Sequence, residues 1–263
     1  MKLLKDIHFW LIDMDGVLYH GNRYMPGAAE FIAALQGEEI PFLLVTNNST
    51  LTPEEYVDKV DRMGMKVMPE DVLTSSIATA EYLSKIAPPG SPVQMIGENG
   101  VRTALLDKGF ELVDRGGDYV VVGMDRGLTF DVLSRATLAI RAGAAFIGTN
   151  PDMTLPVEEG QILGNGAVLA ALQAATGVKP FIIGKPEVAL LEIGMERLGV
   201  TQEGTAILGD RVETDILGGQ RAGLITVMVL SGASTREDLD ESGLEPDFLF
   251  QSVAELVQAW LVR

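Results

Sequence analysis

Short apolar runs alternate with longer amphipathic stretches along the whole chain. Residues 9–12, 42–45, 93–96, 119–122, 146–147, 181–183, 206–208 and 225–230 form such runs, each followed by Gly or a polar residue. Runs of this length bounded by turn residues predict strands. The intervening pattern predicts helices over 27–35, 53–63, 77–86, 100–108, 130–142, 167–174, 187–198, 215–222 and 253–261. Pro53, with Glu54 and Glu55 behind it and Thr52 as its cap, reads as a first helical turn. Strand and helix signals in alternation imply parallel βαβ units, so the expected class is α/β with a Rossmann-like parallel sheet.

Two breaks interrupt this rhythm. Pro88, Pro89 and Pro92 with Gly90 cannot lie inside a helix or a central strand, and Gly177 to Pro180 forms a second break. The segment between them has its own strand and helix alternation, compatible with an inserted domain. The chain has 263 residues, 47% of them apolar and 22% charged, which is a globular composition with enough length for one large or two modest domains.

Charge narrows the partners. Twenty Lys and Arg against 37 Asp and Glu leave a net charge of −17, whose long-range field repels nucleic acid and anionic membrane surfaces. A small anion would need a local cation. The absence of cysteine removes disulfides, thiolate metal sites and thiol catalysis. The first apolar stretch is interrupted by Asp6, His8 and Asp13, unlike a signal peptide, and no run approaches the ~20 residues of a membrane span, so a cytoplasmic location is expected.

Candidate chemistry collects at predicted strand ends. Asp13 and Asp15 leave the first strand two residues apart, and Gly16 lets the backbone turn its N–H groups toward an anion at the carboxyl edge of the sheet. That fragment alone is also ordinary turn chemistry. Thr46 and Asn47 end the second strand with neutral donors suited to phosphate oxygens; a helix-capping turn is the alternative, but Thr52 caps that helix by itself, so the surplus of donors upstream favours a ligand role modestly. Lys185 follows the run at 181–183, where a lysine is usually solvated. Asp210 ends a further strand and Asp215 opens the next helix, where the dipole favours an acid anyway. Four carboxylates together would repel one another by ~4 kcal/mol per pair at 4 Å and an effective dielectric of 20. A divalent cation relieves that repulsion, and an oxygen-only ligand set suits Mg²⁺.

Taken in order, Asp13-Met14-Asp15-Gly16-Val17-Leu18-Tyr19, Thr46-Asn47-Asn48-Ser49, Gly184-Lys185-Pro186 and Gly209-Asp210-Arg211 through Thr214-Asp215 resemble the haloacid dehalogenase superfamily of phosphohydrolases. Within it they are most similar to the NagD-like, p-nitrophenylphosphatase branch (class IIA, C2-type cap). Val122-Gly123-Met124-Asp125, Thr149-Asn150-Pro151-Asp152 and Pro246-Asp247 extend the resemblance over essentially the whole chain.

The resemblance implies a Rossmann-like catalytic core at 1–80 and 181–263, with an α/β cap at 81–180 that selects the substrate. It implies Mg²⁺-dependent hydrolysis of small phosphate monoesters, with Asp13 as nucleophile through an aspartyl-phosphate and Asp15 as general acid and base. Asp13, the Asp15 carbonyl and Asp210 would hold Mg²⁺, with Asp215 supporting them. Thr46 and Asn47 would bind phosphate, and Lys185 would stabilise the transferring charge.

From the cap, Asn150 and Asp152 are the expected substrate contacts, while capping and turn formation account for Asp125. The partner implied is a small phosphorylated metabolite, with neither nucleic acid nor membrane, and the family often pairs through its cap as a homodimer. A phosphotransferase or mutase of the same fold is the enzymatic alternative. A phosphorylation-dependent regulatory module is the other, and Asp15 argues against it, because such modules lack an acid two residues after the acceptor.

Overall fold

The computed structural model describes residues 2–157 and 160–262. In chain order, β1 (Phe9–Asp13) is followed by a small ribbon, β2 (Tyr19–His20) and β3 (Arg23–Tyr24), then α1 (Ala28–Gly37), β4 (Phe42–Thr46), α2 (Pro53–Asp61) and β5 (Val72–Thr74). Next come α3 (Ser75–Ile86), β6 (Pro92–Ile96), α4 (Asn99–Asp107), β7 (Glu111–Leu112), β8 (Tyr119–Val122), α5 (Phe130–Arg141) and β9 (Ala145–Gly148). β10 (Thr154–Val157) and β11 (Gly160–Leu163) pair antiparallel before α6 (Asn165–Thr176) and β12 (Phe181–Ile182). The chain continues through α7 (Ala189–Leu198), β13 (Thr205–Gly209), a π-helical turn (Val212–Ile216), α8 (Leu217–Arg221), β14 (Ile225–Val229), α9 (Arg236–Ser242), β15 (Phe248–Phe250) and α10 (Val253–Leu261).

These elements form two compact units. The first joins Met1–Thr46, Pro53–Leu73 and Lys185–Arg263; the second joins Asn47–Thr52 and Thr74–Gly184.

The first unit holds a sheet ordered β15-β14-β13-β1-β4-β5. The pairs β1/β4, β1/β13, β13/β14 and β14/β15 are parallel. β4 is buried along its entire length, as a parallel strand covered on both faces must be. Strand order runs outward from β1 to β5, then reverses from β13 to β15, so β1 and β13 flank the switch point where open α/β sheets bind ligands. Behind β1, Trp10 packs edge-on against Phe31 of α1 and Trp260 of α10, with ring centroids 5.1 and 5.4 Å away. Trp10 and Trp260 therefore belong to the core, as expected of an aromatic on an apolar strand.

The second unit holds a parallel sheet ordered β12-β9-β8-β6-β7. Ile96, Val120, Val122 and Phe146 of this sheet pack against Ala136 and Ile140 of α5 and Leu169 and Leu172 of α6. Its strand order also reverses once, between β6 and β8.

Candidate active site

Asp13 is the last residue of β1, and Asp210 directly follows β13, its neighbour in the sheet. The sheet thus delivers two acids to the carboxyl edge at the switch point. Asp215 lies in the π-helical turn, and its Oδ2 accepts from the Arg211 N–H at 3.1 Å. Lys185 is buried between the acids: its Nζ lies 2.5 Å from Asp13 Oδ1 and 2.6 Å from Asp215 Oδ1. Oxygens of Asp13, Asp210 and Asp215 all lie within 4.8 Å of one another.

The electrostatics follow from this crowding. Burial pushes the Asp13 carboxyl well above the usual carboxylate range; Lys185 opposes that, while Asp215 and Asp210 reinforce it. Asp210 is raised to about 6 by burial and by Asp215, against the Ala233 N–H that donates to its Oδ2 at 2.6 Å. For Lys185, burial disfavours the ammonium, yet Asp13 and Asp215 outweigh it and hold the group protonated. Three buried carboxylates thus face one ammonium. Asp210 Oδ1 is buried and accepts no hydrogen bond among the described residues. Spare negative charge and an idle carboxylate oxygen both fit a metal cation on Asp13 and Asp210, with Asp215 beside them.

Gly16 makes room for this arrangement. Its φ is +90°, and a Cβ there would overlap the Asp210 carboxylate. Its N–H, which sequence directed toward an anion, donates instead to the Tyr19 carbonyl at 2.7 Å, and its own carbonyl accepts from Ser231 Oγ at 3.1 Å. Asp15, by contrast, is exposed: its side chain retains 57% of its accessible surface, and His20 Nδ1 lies 3.7 Å away. Thr46, buried at the end of β4, hydrogen-bonds Tyr56 of α2, a phenol that burial holds well above its ordinary pKa. Lys59, also on α2, sits over the Tyr19 ring, 3.8 Å from its centroid. Nothing in the sequence motifs pointed to Tyr56 or Lys59. The helical spacing of 56 and 59 was the available signal.

The remaining expected residues belong to the second unit. Asn47 Nδ2 donates to Asp152 Oδ1 at 3.1 Å. Asn150, expected to meet substrate, is buried with both ends of its amide engaged: Nδ2 donates to the Asn47 carbonyl at 2.8 Å, and Oδ1 accepts from the Asp152 N–H at 3.2 Å. Asn165 Nδ2 adds a bond to the Asn150 carbonyl at 2.8 Å. Asn150 thereby ties two loops together, and Asp152 alone of the pair is half-exposed. Gly184 is packed so closely that a Cβ would lie 2.6 Å from Asn47 Oδ1 and 2.8 Å from the Thr149 carbonyl, which explains the glycine preceding Lys185.

The profile of the family described as Haloacid dehalogenase-like hydrolase matches residues 10–111, and that of a HAD-hydrolase-like family matches 182–256. An acid sugar phosphatase of Staphylococcus epidermidis is 42% identical over 258 residues, 96% of this chain and 99% of its own. Among solved structures, a 4-nitrophenylphosphatase of Thermotoga maritima superimposes with a TM-score of 0.93 at 34% identity, covering 98% of this chain and 99% of its own. NagD from Escherichia coli K-12 does so with 0.89 at 34%, covering 95% and 98%. With these matches spanning nearly the whole chain, it belongs to the haloacid dehalogenase-like hydrolases, in their NagD and p-nitrophenylphosphatase branch, and is a phosphatase.

Proposed function

We propose that the protein hydrolyses small phosphate monoesters, sugar phosphates among them, in a Mg²⁺-dependent reaction that passes through a phosphorylated Asp13. One observation carries this reading: the buried Asp13–Lys185–Asp215 array beside Asp210, whose Oδ1 has no hydrogen-bond partner among the described residues. Asp13, Asp210 and the Asp15 carbonyl would hold the ion, with Asp215 fixing the frame. Mg²⁺ suits such an all-oxygen set and, when bound, supplies positive charge that favours the ionised carboxylates and a phosphate oxygen.

The chain's own groups account for the rest. Asp13 attacks phosphorus in line, and the P–O bond to the alcohol breaks. Asp15, reachable by solvent, gives the departing oxygen its proton, then takes one from the water that cleaves the acyl phosphate and regenerates Asp13. Lys185 keeps its proton throughout and holds Asp13 in place. Thr46 and Asn47 donate to phosphate oxygens. The second unit serves as the cap that selects the alcohol, with Asp152 offering its carboxylate to substrate hydroxyls; the sugar phosphatase named among the relatives supports that substrate class. The test is phosphate release from p-nitrophenyl phosphate with and without EDTA, repeated with Asp13→Asn. Loss of turnover in both, restored to the wild type by Mg²⁺, is expected. Full activity of Asp13→Asn overturns the reading.

A further inference from the structure

The loop that follows β14, Ser231-Gly232-Ala233-Ser234, closes around a single side chain, that of Asp210. The Ala233 N–H donates to Asp210 Oδ2 at 2.6 Å, and the Ser234 N–H donates to the Asp210 carbonyl at 3.2 Å. Ser231 Oγ donates to the Gly16 carbonyl at 3.1 Å, and Ser234 Oγ accepts from the Val212 N–H at 3.1 Å, so the loop is tied to the chain at both ends. Gly232 makes the closest approach. A Cβ there would overlap the Asp210 carboxylate, as one at Gly16 would, yet Gly232 does not share the left-handed φ of Gly16. Its backbone does not call for glycine, so the missing side chain makes room for Asp210.

The carboxylate oxygens of the site can be followed one by one. Asp215 has both engaged, Oδ1 paired with Lys185 Nζ at 2.6 Å and Oδ2 accepting from the Arg211 N–H at 3.1 Å. Asp13 has Oδ1 on Lys185 Nζ at 2.5 Å, and its Oδ2 accepts no hydrogen bond among the described residues. Asp210 has Oδ2 on the Ala233 N–H and Oδ1 idle. Asp13 and Asp210 therefore each keep one oxygen for a cation. Calcium draws on about six to eight oxygens and takes both oxygens of one carboxylate readily; magnesium takes about six in a near-octahedral shell and keeps several waters among them.

We propose that the 231–234 loop makes the site discriminate between divalent cations: by holding Asp210 Oδ2 it presents Asp210 as a one-oxygen ligand, which favours Mg²⁺ over Ca²⁺. The inference rests on the metal reading given above. Gly232 and Ala233 touch neither ion nor substrate and act through Asp210, as positioning residues. Lys185 restrains Asp13 in the same sense. A larger ion gains a second oxygen from either acid only by breaking a bond that the fold supplies.

The Tm of the full-length protein, followed by calorimetry against MgCl2 or CaCl2 at constant ionic strength, gives an apparent Kd for each ion without reference to turnover. The wild type is expected to bind Mg²⁺ about tenfold or more tighter than Ca²⁺. Gly232→Ala pushes the carboxylate off the Ala233 N–H, and Ala233→Pro withdraws that N–H itself. Each is expected to bring the two constants within about threefold of one another, Mg²⁺ weakening while Ca²⁺ holds or gains. A purely structural role would lower the metal-free Tm and weaken both ions alike. Failure of the wild type to bind Mg²⁺ overturns the metal reading and this proposal together. Mg²⁺ binding with Ca²⁺ equal or tighter overturns this proposal alone, and that comparison needs no variant. An unchanged Mg²⁺ to Ca²⁺ ratio in either variant that keeps a cooperative thermal transition also overturns it.

Discussion

Lys185 is a buried cation set against buried anions, and removing it reveals what it offsets. Lys185→Met leaves Asp13 and Asp215 without their partner, a change that costs about 3–5 kcal/mol where one member of a buried pair is lost. Urea denaturation is expected to show that loss, and p-nitrophenyl phosphate turnover to fall by two orders of magnitude or more; native stability in the variant would refute it. Asp210 gives a pH signature. Its pKa in the metal-free fold is about 6 against an ordinary 3.8, so the folded state binds the proton more tightly than the unfolded chain. The contribution is full below the ordinary value and is lost as pH rises through about 6. Metal-free protein should therefore have a higher Tm at pH 5 than at pH 7, and Mg²⁺ should raise Tm more at pH 7; calorimetry at both values checks this. These residues were legible as an ordered set: each alone reads as a turn or a solvated side chain, and only the four motifs in sequence order carry the resemblance. The hydrogen bonds by which Asn150 joins the Asn47 and Asp152 backbones were not legible, because they depend on loops far apart in sequence.

At the level of elements, the sequence located strands that carry an apolar run, such as β1, β4 and β13, but missed β15, although Phe248, Leu249 and Phe250 are all apolar. β5 escaped too, and β7, Glu111–Leu112, offers a single apolar residue and so no run to read. α9 escaped for another reason. Arg-Glu-Asp-Leu-Asp-Glu-Ser buries only Leu239, so no apolar stripe exists, and the legible signal was the capping box of Thr235 and Asp238. The helix expected over 215–222 is instead a π-helical turn from Val212 followed by the short α8. Periodicity could not separate them; within the wider turn Asp215 meets both Lys185 and the Arg211 N–H, contacts that span the sequence and leave no local pattern. Caps also make testable contributions. Ser252 accepts from the Glu255 N–H at 3.4 Å to start α10, and Ser252→Ala should cost about 1 kcal/mol in urea denaturation with kcat unchanged.

For the molecule as a whole, a net charge of −17 acts on every approaching phosphate ester. Salt screens that repulsion, so kcat/KM for p-nitrophenyl phosphate should rise from low ionic strength to about 0.15 M, where the Debye length is about 8 Å. A rate that falls monotonically with salt would mean that local cations dominate the encounter. The division into two units, each with its own parallel sheet, raises the further matter of whether they melt as one. The aromatic cluster behind β1 provides the means of finding out. Trp10 and Trp260 are the chain's two tryptophans, and both belong to the first unit. Intrinsic tryptophan fluorescence is therefore a spectroscopic label already confined to one half of the protein, while far-ultraviolet circular dichroism registers helices from both. Superimposable transitions by the two signals would mark a single cooperative block; a fluorescence midpoint displaced from the dichroism midpoint would give each unit its own stability.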